Sequence, residues 1–494
     1  MMCDNLAQML RGVACLLYVA ASAAAATFQD PAPPQLLAPA PSAAVVAKPH
    51  PRVTYRQAPK PLSSAAKVHN WAEFLGPNHN LVSTETHLLK EFPAGGPTLV
   101  WEMETGSGYS APAIQGDRLV YVHRMGDREI VEALDPDTGE LYWDFSYPTD
   151  FSDRYGYSNG PRASPVIDED RVYVYGAQGK LHCLRLRDGA LLWKRDIQTE
   201  FKIPQDFFGV APSPLVEGGL LIVTIGAPGG PTVAAFDKLT GRMKWGAGEE
   251  WGAGYASPIP AQVHGKRVIF VFAGGESRPP TGGLMLINPA DGTVYSTFAW
   301  RSKTYESVNA ASPVIIGNQV LISATYRTGA ALLDIAPDLT LKPAWTSDDF
   351  DLHWTTAIAD GGYLYAFAGR NEPDASLVAI NIKSGEIAWD EALEWQETLS
   401  VSGTERELYL SPFRGSLLKV DGRFLALGEQ GQLLWLALSP QGPKILAKTT
   451  LYLSRQSWTP PVISKGLLYI TQNERDFISG KPPRLLCYDL RAAD

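Results

Sequence analysis

Aromatic and arginine residues recur at one position of a sequence pattern that returns eight times along the chain. Each copy has a small residue, usually followed by Pro, and two positions before it stand Tyr109, Arg162, Ala211, Tyr255, Ala310, Trp354, Arg414 and Ser457. Nearby positions add Arg154, Tyr155, Asn159, Asn309, His353, Arg455 and Trp458. Aromatic and arginine side chains are enriched where binding interfaces gain most of their energy.

We therefore predict a ligand-binding site. Its candidate residues are Tyr109, Arg154, Arg162, Tyr255, Asn309, His353, Trp354, Arg414, Arg455 and Trp458. They suit an anionic or aromatic small molecule, an extended peptide or protein, or a saccharide. The alternative is that these side chains only fill and solvate the mouth of a channel.

The sequence predicts no catalytic residue and no metal ligand. The eight His are dispersed, without a metal-binding spacing such as His-Glu-x-x-His. The Gly-rich stretch at 226–231 lacks the Lys-Ser/Thr that a phosphate-binding loop needs. Ser residues before Pro recur from copy to copy, which indicates repeat structure rather than nucleophiles.

Net charge and cysteine content exclude several classes of protein. A formal net charge of −9 without a Lys/Arg run disfavours nucleic acid and anionic membrane surfaces as partners. Two of the four cysteines, Cys3 and Cys15, lie in the leader, which leaves Cys183 and Cys487. These two occupy equivalent places in their copies, so we expect two buried thiols in different repeats.

The first 68 residues read as a leader. Arg11, a short apolar run at 13–20 and the small residues 21–26 predict a signal peptide over 1–26. Export to the periplasm or the extracellular side of the cell envelope follows, with no transmembrane segment in the mature chain. Cys15 sits in a poor context for lipidation. Residues 27–68 are rich in Pro and Ala, so we expect a disordered linker.

From residue 69 to 494 the repeat pattern predicts four short strands in each copy. The small residues that start the copies are Ala111, Ser164, Ser213, Ser257, Ser312, Thr356, Ser416 and Thr459. Runs such as 171–175, 220–224, 267–271 and 466–470 are β-branched and aromatic, and are bounded by turn residues. No sustained helical periodicity appears.

The turn between the third and fourth strands is the most specific signal. Its clearest copies are Asp135, Thr138, Gly139 and Trp143, then Asp237, Thr240, Gly241 and Trp245, with a weaker third that keeps Gly385 and Trp389. Asp and Thr side chains hydrogen-bond backbone within turns, and Gly takes the left-handed conformation there. Copies four, five and seven are degenerate.

This spacing resembles the tryptophan-docking motif of pyrroloquinoline-quinone-like (PQQ-like) β-propellers. The opening Trp71-Ala-Glu-Phe74-x-Gly76-Pro77-Asn78 is also similar to that of exported bacterial members. WD-repeat propellers are disfavoured, because the paired Gly-His signal is missing. The resemblance implies an all-β, eight-bladed propeller of four-stranded antiparallel blades over 69–494. The last copy lacks a fourth strand, and we expect residues 98–103, ending near Trp101, to complete that blade and close the ring.

The resemblance also bears on function. Quinone-dependent members hold the cofactor against a disulfide of adjacent cysteines, beside calcium held by Glu, Asn and Asp. No two cysteines are adjacent here, and no calcium-ligand spacing stands out. We therefore expect a monomeric, non-catalytic binding or scaffold propeller without a cofactor. Similar members assist outer-membrane protein assembly, although the missing lipid attachment site argues against that particular role. The alternative is a quinone-dependent alcohol or sugar dehydrogenase with PQQ and calcium, and a carbohydrate-binding or lyase-like propeller stays open.

Overall fold

The computed structural model describes residues 28–39, 45–371, 374–401 and 403–493. The predicted signal peptide at 1–26, with Cys3 and Cys15, lies outside the described residues. The remaining two cysteines are free and buried as expected, Cys183 in the second blade and Cys487 in the last.

Eight antiparallel sheets surround a central channel, which confirms the predicted eight-bladed propeller. Three strands precede the first blade: β1 (Gln35–Leu36), β2 (Val53–Tyr55) and β3 (Thr98–Glu104). Blades 1 and 2 comprise β4 (Ala113–Gln115), β5 (Arg118–Met125), β6 (Arg128–Leu134), β7 (Leu141–Pro148), β8 (Val166–Asp168), β9 (Arg171–Tyr175), β10 (Lys180–Arg185) and β11 (Leu191–Asp196). The helix α1 (Ile197–Glu200) follows. Blades 3 and 4 comprise β12 (Leu215–Glu217), β13 (Leu220–Thr224), β14 (Val233–Asp237), β15 (Met243–Ala247), β16 (Ile259–Val263), β17 (Lys266–Ala273), β18 (Gly283–Ile287) and β19 (Val294–Ala299).

The second half of the chain repeats the same unit, with one insertion. Blades 5 and 6 comprise β20 (Val314–Ile316), β21 (Gln319–Ala324), β22 (Gly329–Ile335), β23 (Leu341–Ser347), β24 (Ile358–Asp360), β25 (Tyr363–Ala368), β26 (Ser376–Asn381) and β27 (Ile387–Glu391). A separate hairpin, β28 (Trp395–Val401) and β29 (Thr404–Leu410), precedes blade 7. Blades 7 and 8 comprise β30 (Ser416–Val420), β31 (Arg423–Leu427), β32 (Gln432–Ser439), β33 (Gly442–Thr450), β34 (Val462–Ser464), β35 (Leu467–Gln472) and β36 (Arg484–Asp489).

The ring closes as predicted. Strand β3 pairs antiparallel with β36, and Trp101 lies opposite Cys487, so the chain start supplies the fourth strand of blade 8. The middle strands of the blades are almost entirely buried, because each sheet packs between two neighbours. Among the described residues, no helix is long or apolar enough to cross a membrane.

Indole rings join neighbouring blades. Each of six tryptophans donates its Nε1–H to a carbonyl of the following blade, at 2.7–3.1 Å: Trp101 to Pro136, Trp143 to Leu186, Trp193 to Lys238, Trp245 to Pro289, Trp345 to Ile382 and Trp389 to Ser439. In the degenerate fourth copy Ser296 takes the equivalent position, and its hydroxyl donates to Leu339 O at 2.7 Å. The recurring indole therefore bridges two neighbouring blades.

In blades such as 1 and 3, the turn between the third and fourth strands packs against the indole of the preceding blade. Asp237 Oδ1 accepts from the backbone N of Thr240 at 2.9 Å and from its hydroxyl at 2.9 Å. Gly241 follows with a φ of +71°, and a Cβ there would come within 2.8 Å of the Trp193 ring. Asp135 holds Thr138 and Gly139 in the same way, with Trp101 against the glycine.

The expected disordered linker is wrong for the described residues 28–39 and 45–68, which we call the leader strap. Asp30 pairs with Arg195 of blade 2, β1 adds to β11, Lys48 bridges to Leu141 of blade 1, and β2 adds to β3 of blade 8. The strap thus follows the outer edges of successive blades across the closure. Its strands are two and three residues long, too short for an alternating pattern to show in the sequence.

Candidate functional site

Small residues hold the inner strands together around the channel. The backbone N of Ala111 donates to Ser164 Oγ at 2.9 Å, and that of Ser164 donates to Ser213 Oγ at 2.8 Å. Ser213 N donates in turn to Ser257 Oγ at 2.9 Å. Each of these hydroxyls accepts a hydrogen bond from the neighbouring blade, so the recurring serines are structural.

The channel is closed at one end by residues 71–83, which we call the opening segment. Trp71 bridges to Ile114 of blade 1, and Val82 bridges to Lys419 of blade 7. The turn between them needs Gly76, because its φ is +82° and a Cβ would meet the Trp71 ring at 2.8 Å. Between these bridges, Glu73, Phe74 and His79 lie beside residues 213–215 of blade 3 and 257–259 of blade 4, on the far side of the ring from blade 7, so the segment crosses the channel.

A cavity of about 250 Å³, which we call the funnel, lies above this floor. Phe74, Leu75 and Leu81 of the opening segment line its base. Seven of the ten candidate residues line it together: Tyr109, Arg162, Tyr255, His353, Trp354, Arg414 and Trp458. Residues at the repeat position singled out in the sequence line this cavity in seven of the eight copies: Tyr109, Arg162, Ala211, Tyr255, Ala310, Trp354 and Arg414.

Three candidate residues do not line the funnel. Arg154 lines a neighbouring cleft and pairs with Glu276. Asn309 is fully buried, and its amide donates to the carbonyls of Ala273 at 2.8 Å and Trp300 at 2.9 Å, which is a structural role. Arg455 is exposed and does not line the funnel, although it lies close to Trp458 in the sequence.

Two of the three arginines that line the funnel face buried carboxylates, and the third, Arg370, lies over the Tyr326 ring at 4.2 Å. Arg162 lies 2.5 Å from Asp153, whose side chain is completely buried. Arg414 pairs with the equally buried Glu429, which also accepts the Nε1–H of Trp458 at 2.6 Å. Because each cation is neutralised by its partner, the two pairs present donors and acceptors with no net charge. The two pairs therefore add no net positive charge to the funnel, and Arg370 is the other arginine of the described lining.

Aromatic rings form the rest of the wall. Trp354 lies 4.7 Å from Trp458 and 4.6 Å from His353 between ring centroids, and Tyr109 stacks on Trp458 at 5.2 Å. Burial lowers the pKa of His353 to about 3, with the charges of Arg370 and Arg414 acting in the same direction. A neutral imidazole therefore lines the funnel. Within the described part of the chain, His353 Nδ1 and Trp354 Nε1 have no hydrogen-bond partner.

Sequence reasoning missed a second cavity, a cleft of about 440 Å³ on the loops of blades 2 to 4. Asp206, Glu276, Arg278 and Tyr305 line it. Asp206 Oδ1 accepts from the backbone N of Glu276 at 2.7 Å, so two loops distant in sequence meet there. These residues stand outside the repeat pattern, in loops of irregular length. The aromatic residues within 149–165, such as Tyr155, were the signal in the sequence that could have indicated a binding surface in these loops.

Asp206 makes stability depend on pH. Burial raises the pKa of its carboxyl to about 6, and the nearby Glu276 charge adds to this, while backbone N–H groups oppose it. The folded protein then keeps a proton that an unfolded Asp loses near pH 4, so stability falls as pH rises from about 4 to 6. We expect this decline to be smaller in Asp206→Asn, measured by urea unfolding at pH 4 and 7. The same pH dependence of the free energy of unfolding in Asp206→Asn and wild type would contradict this expectation. The control is Asp349→Asn, which changes an exposed carboxyl.

The residues present do not fit a quinone with calcium. No Asp or Glu lines the funnel among the residues that the structure describes, and no group of three or more potential metal ligands occurs there. Cys183 and Cys487 lie in different blades and are free, so the adjacent-cysteine disulfide has no counterpart. The aromatic wall is present, but the groups that hold calcium are not.

The known sequences similar to this chain include outer membrane protein assembly factors. A family model described as outer membrane protein assembly factor BamB matches residues 127–391. The outer membrane protein assembly factor BamB of Moranella endobia is 20% identical over 384 residues, covering 72% of this chain and 88% of that protein. An uncharacterized protein of Rickettsia conorii is 28% identical over 183 residues, 34% of this chain. The chain spans 39% of the length of that Rickettsia protein.

Known structures share the fold. A europium-containing methanol dehydrogenase superposes with a TM-score of 0.62 at 10% identity, over 85% of this chain and 98% of that chain. BamB from Moraxella catarrhalis superposes with a TM-score of 0.52 at 14% identity, over 80% and 98%. Identities this low establish a common architecture and leave chemistry to the site itself.

Proposed function

The chain belongs to the PQQ-like propeller family described as outer membrane protein assembly factor BamB, and on that premise we propose that it is an exported, non-catalytic binding or scaffold module of the cell envelope. Export is supported by the charge and apolar pattern of residues 1–26. The protein works by holding a ligand or protein partner on the face where the funnel opens.

The lining of the funnel carries this proposal. Two of its three arginines form ion pairs with buried carboxylates, Arg162 with Asp153 and Arg414 with Glu429, and the third, Arg370, stacks on Tyr326. Its remaining wall is mainly aromatic and apolar. Concave, largely apolar surfaces with a few fixed polar groups are typical of binding sites. A general base poised near neutral pH is missing from the described lining, since His353 stays neutral down to acidic pH.

The second candidate function is a quinone-dependent alcohol or sugar dehydrogenase. It is favoured by the architecture shared with the europium-containing methanol dehydrogenase. The funnel lining, which lacks carboxylates among the described residues, weighs against it.

One experiment separates the two functions. The full chain is produced in a Gram-negative host, recovered from the periplasmic fraction, and mixed with PQQ and calcium. We expect the recovered chain to lack the signal peptide at 1–26. We also expect no bound-cofactor absorbance after gel filtration and no dye reduction with primary alcohols or glucose. A quinoprotein dehydrogenase treated in parallel is the control. Retention of the chain in the cytoplasm or dye reduction above the protein-free rate would overturn the proposal.

A further inference from the structure

Seven aromatic rings connect the cleft to the funnel, and we call them the aromatic track. In spatial order they are Tyr305, Phe207, Tyr155, Phe208, Tyr157, Trp458 and Trp354. Consecutive ring centroids lie 4.7–5.9 Å apart. Tyr305 lines the cleft, whereas Phe208, Tyr157, Trp458 and Trp354 line the funnel. Phe207 is buried, so the rings that a ligand can reach run from Tyr155, next to the cleft residue Arg154, to Trp354 in the funnel.

The middle of the track is open to solvent and held in place. Tyr155 and Tyr157 are 47% and 45% exposed, which is unusual for large aromatic side chains. Their loop is fixed by Asp153, whose Oδ1 accepts from the backbone N of Tyr155 at 2.7 Å and whose own N donates to Asn159 Oδ1 at 2.8 Å. Rings held in advance lose little entropy when a ligand stacks on them.

Three ion pairs flank the track, and two further arginines, Arg278 in the cleft and Arg370 in the funnel, stack on Tyr305 and Tyr326. Burial acts to raise the pKa of the Glu276 and Asp351 carboxyls, and the charges of Arg278 and Arg370, respectively, act to lower it, so each arginine has a carboxyl group nearby. Arg154 with Glu276, Arg162 with Asp153 and Arg414 with Glu429 flank it from the cleft to the funnel. Each pair offers N–H donors and carboxylate acceptors side by side. A polyanion would have to compete with these carboxylates, whereas hydroxyl groups donate to one partner and accept from the other. The flanks thus match a neutral, hydroxyl-rich ligand.

We infer that the aromatic track binds a linear, neutral oligosaccharide that spans the cleft and the funnel. The inference rests on the proposed function, since it names the ligand class of the same face. Sugar rings have an apolar face that stacks on aromatic rings and a rim of hydroxyls for the ion pairs, and the ring spacing is close to the length of one hexose unit. An extended peptide is normally read through its backbone by a sheet edge, but these rings lie on loops between blades.

Isothermal titration of the full mature protein tests this ligand class. The probes are neutral hexasaccharides of β-1,4-glucose, α-1,4-glucose, β-1,4-mannose and β-1,4-xylose, with the disaccharide of each series. Counter-probes are hexagalacturonate and a library of ten-residue peptides. We expect at least one neutral hexasaccharide to bind, its disaccharide to bind at least tenfold more weakly, and Tyr155→Ala/Tyr157→Ala to weaken the hexasaccharide at least tenfold. Tyr409→Ala, which removes a ring that is 76% exposed on the inserted hairpin, should leave the Kd within twofold.

The opposite results overturn the inference. These are no binding of any neutral hexasaccharide, binding of only hexagalacturonate or peptides, a disaccharide that binds as tightly as its hexasaccharide, or equal weakening by Tyr409→Ala. Thermal unfolding of each variant shows whether its fold is retained. Failure here leaves export and the absence of quinone chemistry untouched, while dye reduction would refute the proposed function even if a hexasaccharide bound.

Discussion

Replacing Trp193 with alanine is expected to lower the free energy of unfolding by about 3–5 kcal/mol, the range for deleting a large aromatic side chain from a core. The indole is completely buried between blades 2 and 3. It also donates to Lys238 O at 3.1 Å, and the Gly241 turn of the next blade packs on its ring. Loss of the ring therefore opens a cavity at a junction and removes one of the two donors to Lys238 O, the other being the Tyr173 hydroxyl at 3.1 Å. Urea unfolding at constant pH measures the change.

The contact between Trp193 and Gly241 can also be tested by a substitution in blade 3. Gly241→Ala should also destabilise, because its Cβ would meet the Trp193 ring and its φ is positive. Trp395→Ala is the matched control, since that indole belongs to the inserted hairpin and its Nε1–H donates only to Glu397, at 3.1 Å. Equal losses for Trp193→Ala and Trp395→Ala would show that the junction indole has no special structural role.

Replacing Glu132 with alanine should cost about 3–5 kcal/mol, because it breaks a buried charge network from one side. Glu132 accepts from His50 of the leader strap at 3.0 Å and from His123 of its own blade at 3.1 Å, and it pairs with Arg52. Without the carboxylate, the strap loses its buried anchor on blade 1. Urea unfolding reports the global loss, and limited proteolysis should show faster cleavage within residues 45–60.

Asp144→Ala is the control for Glu132→Ala, since Asp144 lies directly opposite Glu132 in the ladder but is exposed. Burial raises the pKa of the Glu132 carboxyl, but hydrogen bonds from His123 and His50 outweigh it and hold the pKa well below its ordinary value. A lowered acid pKa gives stability that is present above the unfolded value, about 4.3, and is lost as pH falls. The difference in the free energy of unfolding between wild type and Glu132→Ala should therefore become smaller below pH 4. A constant difference, or unchanged proteolysis, would contradict the anchoring role.

Local patterns predicted the blades, whereas contacts between distant segments escaped sequence reasoning. The turn around Asp237 and Gly241 is readable because its geometry depends on residues within one copy. The inserted hairpin was not predicted between Thr356 and Ser416, because its strands carry only a half-buried face, with Leu410 buried at the end. The strap was missed because it gains its order from segments far away along the chain, up to 429 residues for Lys60 and Asp489.

The candidate site shows the same division. Trp354 and Arg414 could be found because they occupy a repeated position at the start of inner strands. Asp153 and Glu429, which neutralise two of the arginines, could not, because they come from loops of unrelated length. Charge in the funnel was consequently overestimated, and the second half of the track, from Tyr157 to Tyr305, was not foreseen as one row of rings.

The floor formed by Phe74, Leu75 and Leu81 closes the central channel at one end. A long polymer cannot thread through the ring and slide along it. Only a chain terminus can descend to Trp354, while the rest must leave sideways over Tyr157 and Tyr155. Recognition would then favour ends over interior stretches, and the number of bound molecules would follow the number of termini rather than the total mass of polymer.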